Sequence, residues 1–213
     1  MGTLKGIIHC HSCYSFDSIV TIKEIIQYIT QYNLDFLILS DHNTVAGSIS
    51  LRKKLKKHGL SHVQVPVAAE YNTEYGDIIA AFINAEIDYT QPFEQVTQEI
   101  KKQNGIVLFP HPYKGHKYIE KIATEADLIE VFNSRDTDHN NQKSVKLAKE
   151  YEKSSYWASD AHMLKEYDYV IVEIEYNTSN LKEALLFGQI KPVSQIKTTY
   201  FNILYSQFIK SLK

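Results

Sequence analysis

Cysteine and arginine are scarce in this 213-residue chain: Cys10 and Cys13 are its only thiols, and Arg52 and Arg135 its only guanidinium groups among 23 cationic side chains. Two cysteines three positions apart cannot staple a fold, so a reduced, cytoplasmic setting is expected. No run approaches the roughly 18 uninterrupted apolar residues of a membrane span. The stretch from Met1 to His9 lacks the apolar segment and small-residue cleavage site of a secretory leader, so export is not expected. Excess charge of one sign is also missing. The formal net charge is −2, with 44% hydrophobic and 23% charged residues, which excludes a disordered chain, a coiled coil and a strongly basic nucleic-acid binder. The chain is instead rich in tyrosine, with 15 residues, and histidine, with 9. Tyrosine suits core edges and surface; the histidines matter because of where they fall.

Short apolar runs alternate with helical patterns. Residues 6–9, 36–39, 63–68, 78–83, 106–109, 128–132, 156–159 and 170–174 read as strands, mostly continuous in apolar residues as buried parallel strands are. Between them, residues 21–32, 44–58, 93–104, 140–153 and 180–187 place Ile, Leu and Tyr at helical spacing. Gly59, Gly105 and Gly188 follow three of these segments, where a left-handed terminal residue is wanted. Strand and helix alternating about seven times predict a parallel sheet, as a barrel or a doubly wound sheet, in one α/β domain over residues 1–213. Residues 199–213 read as an amphipathic helix packed on the outside of the body.

Nearly every strand run ends in a residue type that binds metal: His9 and His11, Asp41 and His42, Glu70, His111, and Asp160 and His162. In a parallel α/β barrel the C-terminal strand ends share one face, so these scattered residues meet in one pocket. In extended backbone, side chains at i and i+2 point the same way, which lets His9 and His11 grip one ion with Cys10 facing away, and lets Asp160 pair with His162. Imidazole and carboxylate suit Zn, Mn or Fe, and Glu70 is the type of group that bridges two ions about 3.5–4 Å apart. So large a donor set is too much for one tetrahedral ion and implies two or three.

The ordered set His9-Cys10-His11, Ser15, Asp17, Ser40-Asp41-His42-Asn43, Glu70, Pro110-His111-Pro112, Ile129-Glu130-Val131-Phe132-Asn133 and Ser159-Asp160-Ala161-His162, with Leu185-Leu186-Phe187-Gly188-Gln189 near the end, resembles the PHP (polymerase and histidinol phosphatase) family over about residues 6–190. A single His-x-His occurs by chance, whereas the full ordered set is specific. The resemblance implies a distorted (β/α)7 TIM-like barrel whose cluster of up to three ions activates water to hydrolyse phosphate esters. It implies one ion on His9, His11, Glu70 and Asp160, a second sharing Glu70 and taking His111, and a third on Asp17, His42 and His162. Asp41 would then orient a ligand histidine from behind. In many relatives the strand after the bridging glutamate ends in a further ligand histidine, and residues 76–82 contain none. Either Asp77, His116 or His139 substitutes, or the cluster is binuclear. A phosphate also needs cations: Arg135 and Lys114 each follow a strand end and are expected at the pocket mouth, with Arg135 gripping phosphate bidentately.

The remaining features have plainer readings. His58 and His62 flank a loop and read as surface. The pair Cys10 and Cys13 has no second C-x-x-C to complete a zinc ribbon, so Cys10 reads as packing and Cys13 as a thiol near the metals, sensitive to oxidation. The basic run 52–58 lies on a helix whose inner face is marked by Leu51 and Leu55, so it is expected to be solvated, and nucleic acid is not the favoured partner. The expected activity is metal-dependent hydrolysis of a small phosphate monoester or nucleotide-like phosphoester, with no membrane partner. Its rivals are a PHP-type tyrosine phosphatase or exonuclease, a hydrolase of another bond such as an amide, and a non-catalytic metal-binding module. Substrate, metal and oligomeric state stay open at this point.

Overall fold

A computed structural model describes residues 2–177 and 180–213. Strand β1 (Gly2–Cys10) runs parallel to β2 (Phe36–Leu39), and helix α1 (Ile22–Tyr32) joins them. Thr21 starts that helix with a capping box: its side chain accepts the Glu24 N–H while the Glu24 carboxylate accepts the Thr21 N–H. Ile22, Ile25, Ile26 and Ile29 then fall on one buried face. Side chains alternate even where the strands are apolar throughout. Ile7 and Leu37 pack outward on α1 and on α2 (Ala46–Lys57), whereas Ile8 and Ile38 face the interior shared with Leu108 and Tyr156. Leu51 and Leu55 are buried on α2 and residues 52–54 and 56–58 are exposed, so the basic run is a solvated face as expected.

Strict strand–helix alternation breaks at residue 68. The expected strand 63–68 is a loop tied to β2 by a bridge between Gln64 and Phe36, and strand β3 (Ala68–Thr73) begins where that strand should end. β3 turns straight back into β4 (Gly76–Ala81) as an antiparallel hairpin, closed by the Thr73 hydroxyl donating to the Gly76 carbonyl. Helix α3 (Phe93–Lys102) leads to β5 (Ile106–Phe109), antiparallel to β4. Besides β1 and β2, the strands paired in parallel among the described residues are β5 with β6 (Leu128–Asn133) and β6 with β7 (Ser154–Ala158), connected by α4 (Ile119–Glu125) and α5 (Asp138–Glu150). Strand β8 (Val172–Tyr176) returns antiparallel to β1, and α6 (Leu181–Phe187) separates it from β9 (Gln189–Pro192). Two elements are not legible: α4 is too short to display a helical period, and β9 has Ile190 as its single buried residue.

The result is one mixed α/β fold with two sheets, ordered β2-β1-β8-β9 and β3-β4-β5-β6-β7. They meet at two seams held by single bridges, His42 to Glu70 and Phe36 to Gln64 on one side and Cys10 to Ala161 on the other. Ladder pairing is therefore not continuous around a closed barrel, and antiparallel pairs replace several of the expected parallel ones. Both seams run through metal-ligand residues or their neighbours. Of the three candidate terminal glycines only Gly59 (φ +73°) is left-handed. Asn104 (φ 56°) takes that role ahead of Gly105, and Gly188 is extended (φ −80°). Helix α7 (Tyr200–Leu212) packs through Asn202, Ser206 and Ile209, leaving Phe201, Phe208 and Leu212 exposed. Its buried face is thus largely polar, opposite to the amphipathic reading. Among the described residues no helix is long and apolar enough to cross a membrane.

Candidate metal centre

Three strand ends that carry the site kink out of extended geometry: His9 (φ 64°), His111 (φ 27°) and Asp160 (φ 52°) are left-handed. For residues with a Cβ this costs on the order of 1–3 kcal/mol each and persists only where surrounding structure demands it. The i, i+2 argument therefore does not describe the backbone, since β1 shifts register between Ile8 and Cys10. The side chains converge all the same. His9 Nε2 and His11 Nε2 each lie 3.3 Å from Glu70 Oε2 and 3.4 Å from Asp160 Oδ1. With metal–ligand bonds of about 2.0–2.2 Å, neighbouring ligands of a tetrahedral ion lie about 3.3–3.6 Å apart, so these four separations match the edges that one coordination shell would have.

Glu70 is the hub. Its Oε2 is also 3.3 Å from His42 Nδ1, and its Oε1 is 3.2 Å from His111 Nε2. The hairpin strand β3 delivers it there, anchored to the segment after β2 by Glu70 N–H donating to Asp41 O (3.2 Å) and Asn43 N–H donating to Glu70 O (2.8 Å). On the far side of His42, Asp17 Oδ2 lies 3.3 Å from His42 Nε2 and 2.9 Å from His162 Nε2. All eight residues expected as ligands, His9, His11, Asp17, His42, Glu70, His111, Asp160 and His162, thus meet in one place. The groups His9–His11–Glu70, His9–His111–Asp160 and His11–Asp17–His42–His162 each have donor atoms within 4.8 Å of one another.

The donor set fits a cation. Among the described residues, His11 Nε2 is buried without a hydrogen-bond partner although it faces two carboxylates, and Asp17 Oδ1 is likewise unpartnered. Buried polar atoms are normally paired, and such orphans call for an ion. Burial is the largest influence on His9, His11, His42 and His111 and favours the neutral ring, but around His42 the charges of Glu70 and Asp17 win and push its pKa up to about 9. His9 is raised well above its usual value by Glu70, Asp160 and Glu130 against the same burial. Burial, with His162 and His42 alongside, pulls His11 down to about 3. Glu70 and Asp160 sit well below the ordinary carboxylate range because nearby histidines outweigh their burial. The centre is a sink for positive charge.

The supporting residues differ from expectation. Asp41 orients no ligand ring: its carboxylate accepts the Ser12 N–H (2.6 Å) and Ser12 O–H (2.7 Å), and it presses on Gly47, where a Cβ would overlap Oδ2. Asp41 therefore ties down the loop after His11, and burial pushes its pKa up to about 6. The histidine-orienting carboxylate is Glu130, buried on β6, whose Oε1 is 3.0 Å from His9 Nδ1 and whose Oε2 accepts the His111 N–H and Asn133 Nδ2. A proton held on His9 Nδ1 by Glu130 leaves the Nε2 lone pair facing the centre. Its signal was a lone acid inside the apolar run Leu128–Asn133. Glu130→Gln is expected to weaken metal affinity about 10–100-fold, read by competition with a chelator of known affinity; unchanged affinity would remove Glu130 from this role.

The cavity over the centre holds about 440 Å³. Lys114 stands at its edge, Nζ 3.7 Å from Asp160 Oδ2. Arg135 reaches the same cavity but its guanidinium is not free for a phosphate. Both Glu166 oxygens accept from Nη1 at 3.0 Å, and Nη2 donates to Ser206 on α7. Glu166, fully buried and missed in the sequence, also accepts the His162 N–H (2.9 Å), so Arg135 braces a ligand turn and α7 together. From α7, Lys210 enters the cavity lining with Nζ 4.8 Å above the Phe16 ring, which stacks on His42 at 4.7 Å. His58, His62 and His139 are exposed, and His139 belongs to no donor group among the described residues. Asp77 and His116 lie beside His111. Cys10 is buried and Cys13 exposed, both as free thiols.

Among solved structures, the fold is similar to a two-domain protein of Bacteroides vulgatus that contains a predicted PHP-like metal-dependent phosphoesterase, with a TM-score of 0.74, 18% identity and 91% of this chain covered. This chain spans 65% of that protein's length. It is also similar to PsfC of Pseudomonas syringae, with a TM-score of 0.71, 15% identity and full coverage of both chains. An uncharacterized protein of Methanocaldococcus jannaschii is 29% identical over 175 residues, 72% of this chain and 99% of that one. The PHP domain model matches residues 8–207, a span that contains every ligand-type side chain of the centre, and the chain belongs to the PHP domain family.

Proposed function

We propose that the protein is a metal-dependent phosphoesterase that hydrolyses a small phosphate monoester, or a nucleotide-like phosphoester, in the cytoplasm. The observation that carries this reading is the placing of Glu70, with His9, His11, His42 and His111 all 3.2–3.3 Å from its two oxygens. Divalent ions held by this set would lower the pKa of water and neutralise phosphoryl charge. The chain's own residues do the rest. Lys114 and Lys210 approach the cavity as point charges for the phosphate and any further anion, and Arg135 holds α7 and the His162 turn in place. A cavity of about 440 Å³ is of small-molecule size, within the roughly 300–1,000 Å³ of ligand pockets. The basic face of α2 takes no part in its lining, which favours a small substrate over nucleic acid.

The test is elemental analysis of protein purified without chelators, followed by a panel of phosphate esters assayed for phosphate release and of amides assayed for amine release. Two or three equivalents of Zn, Mn or Fe with phosphate release is the expected result. Well under one equivalent, still absent after incubation with each metal, would replace this reading with a non-catalytic module. Amine release without phosphate release would move it to amide hydrolysis.

A further inference from the structure

Residues 76–82 contain no histidine, yet the space beside His111 is not left to carbon. We propose that Asp77 and His116 complete a metal position with His111. This deepens the metal-dependent reading and rests on it. Asp77 opens β4, and His116 follows the left-handed Gly115 (φ +82°) in the loop after β5. The two are fitted to each other: Gly76 (φ +126°) has no room for a Cβ because the His116 ring fills that space.

The decisive detail is the state of the His116 ring. Nε2 lies 2.9 Å from the Asp77 backbone carbonyl. A carbonyl only accepts, so Nε2 carries the proton and donates, and Nδ1 is left with a free lone pair. Among the described residues that Nδ1 is buried and has no hydrogen-bond partner, and the same is true of Nδ1 of His111. Backbone fixing of one ring nitrogen while the other is left bare is the arrangement found behind metal-ligating histidines. Asp77 is oriented as well, its Oδ1 accepting from Asn72 Nδ2 at 2.7 Å. Donor atoms of Asp77, His111 and His116 all lie within 4.8 Å of one another, and the His111 and His116 rings are 5.4 Å apart. A hairpin carbonyl and a glycine turn thus supply from a loop what a strand-end histidine would supply directly.

The experiment compares metal content of the wild-type protein with Asp77→Asn, His116→Gln and, as a control on the exposed face of α5, His139→Ala. Each protein is loaded with Mn or Zn, desalted and analysed, and Co(II) titration follows the visible absorption of each equivalent. The expected result is that Asp77→Asn and His116→Gln each lose one equivalent, or bind it at least about tenfold more weakly, while the other ions and the circular dichroism stay as in wild type. Should His116→Gln fail to fold, the isosteric Asp77→Asn, at a half-buried position, decides alone. Retention of every equivalent at wild-type affinity overturns the proposal and leaves the phosphoesterase reading standing. A wild-type protein that holds no metal overturns both.

Discussion

Glu70→Gln is expected to strip the ions that Glu70 would share from the centre and to lower kcat/KM for phosphate release by about three orders of magnitude or more, since such ions would supply several kcal/mol of transition-state stabilisation and each 1.36 kcal/mol is tenfold. The substitution keeps shape and removes charge. One Glu70 oxygen serves His9, His11 and His42 and the other serves His111. An amide can offer only one acceptor oxygen and must turn N–H donors toward either the histidine cluster or the ion. The fold should survive, because Glu70 is held in β3 by backbone pairing with Ile79 and by its N–H to Asp41 O, neither of which involves the side chain. Elemental analysis, circular dichroism and phosphate release on one preparation check this. Wild-type metal content and turnover in a folded Glu70→Gln protein would remove Glu70 from the centre.

Arg135→Ala should act first on stability. Removing one partner of a buried ion pair costs about 3–5 kcal/mol because the other charge is left in the interior uncompensated. Here that charge is Glu166, which is fully buried and accepts two Arg135 bonds, the His162 and Met163 N–H groups and the Thr198 hydroxyl. At roughly 2–4 °C per kcal/mol for a chain of this size, Tm should fall by roughly 6–20 °C. Loss of the contact to Ser206 also removes one tie between α7 and the cavity rim. Arg135→Lys should recover only part of the loss, since an ammonium cannot reproduce the planar fork. Thermal unfolding separates this bracing role from direct phosphate binding. A substrate-binding Arg135 would raise KM with Tm unchanged, whereas the ion pair predicts the fall in Tm.

The contrast between Asp41 and Glu130 explains what could and could not be read in advance. Both are acids at or near the end of a buried strand, and in the sequence Asp41, beside His42, is the natural partner for a histidine. Through space it faces Ser12, and the acid behind His9 is Glu130, 121 residues away in the chain. Arg135 is the same case: adjacency to a ligand-bearing strand end predicts a free cation, and only the packed structure reveals Glu166 beneath it. Asp77 and His116 are two of several candidates for the absent histidine, and it is the packing of the β3–β4 hairpin against the Gly115 turn that brings them beside His111.

By itself the sequence determined the set of candidate ligands. Histidine and carboxylate are costly to bury without a partner, so their recurrence at the ends of apolar runs, in family order, marks a candidate metal centre before any geometry is known. It also determined the capped amphipathic helix α1 and the solvated face of α2, because those depend on spacing within a few turns. Strand direction, the two open seams, the hairpin that carries Glu70 and the largely polar underside of α7 were decided only by the tertiary structure. A continuous apolar strand is compatible with either direction of pairing, and a buried charge takes its partner by distance in space, which residue order does not encode.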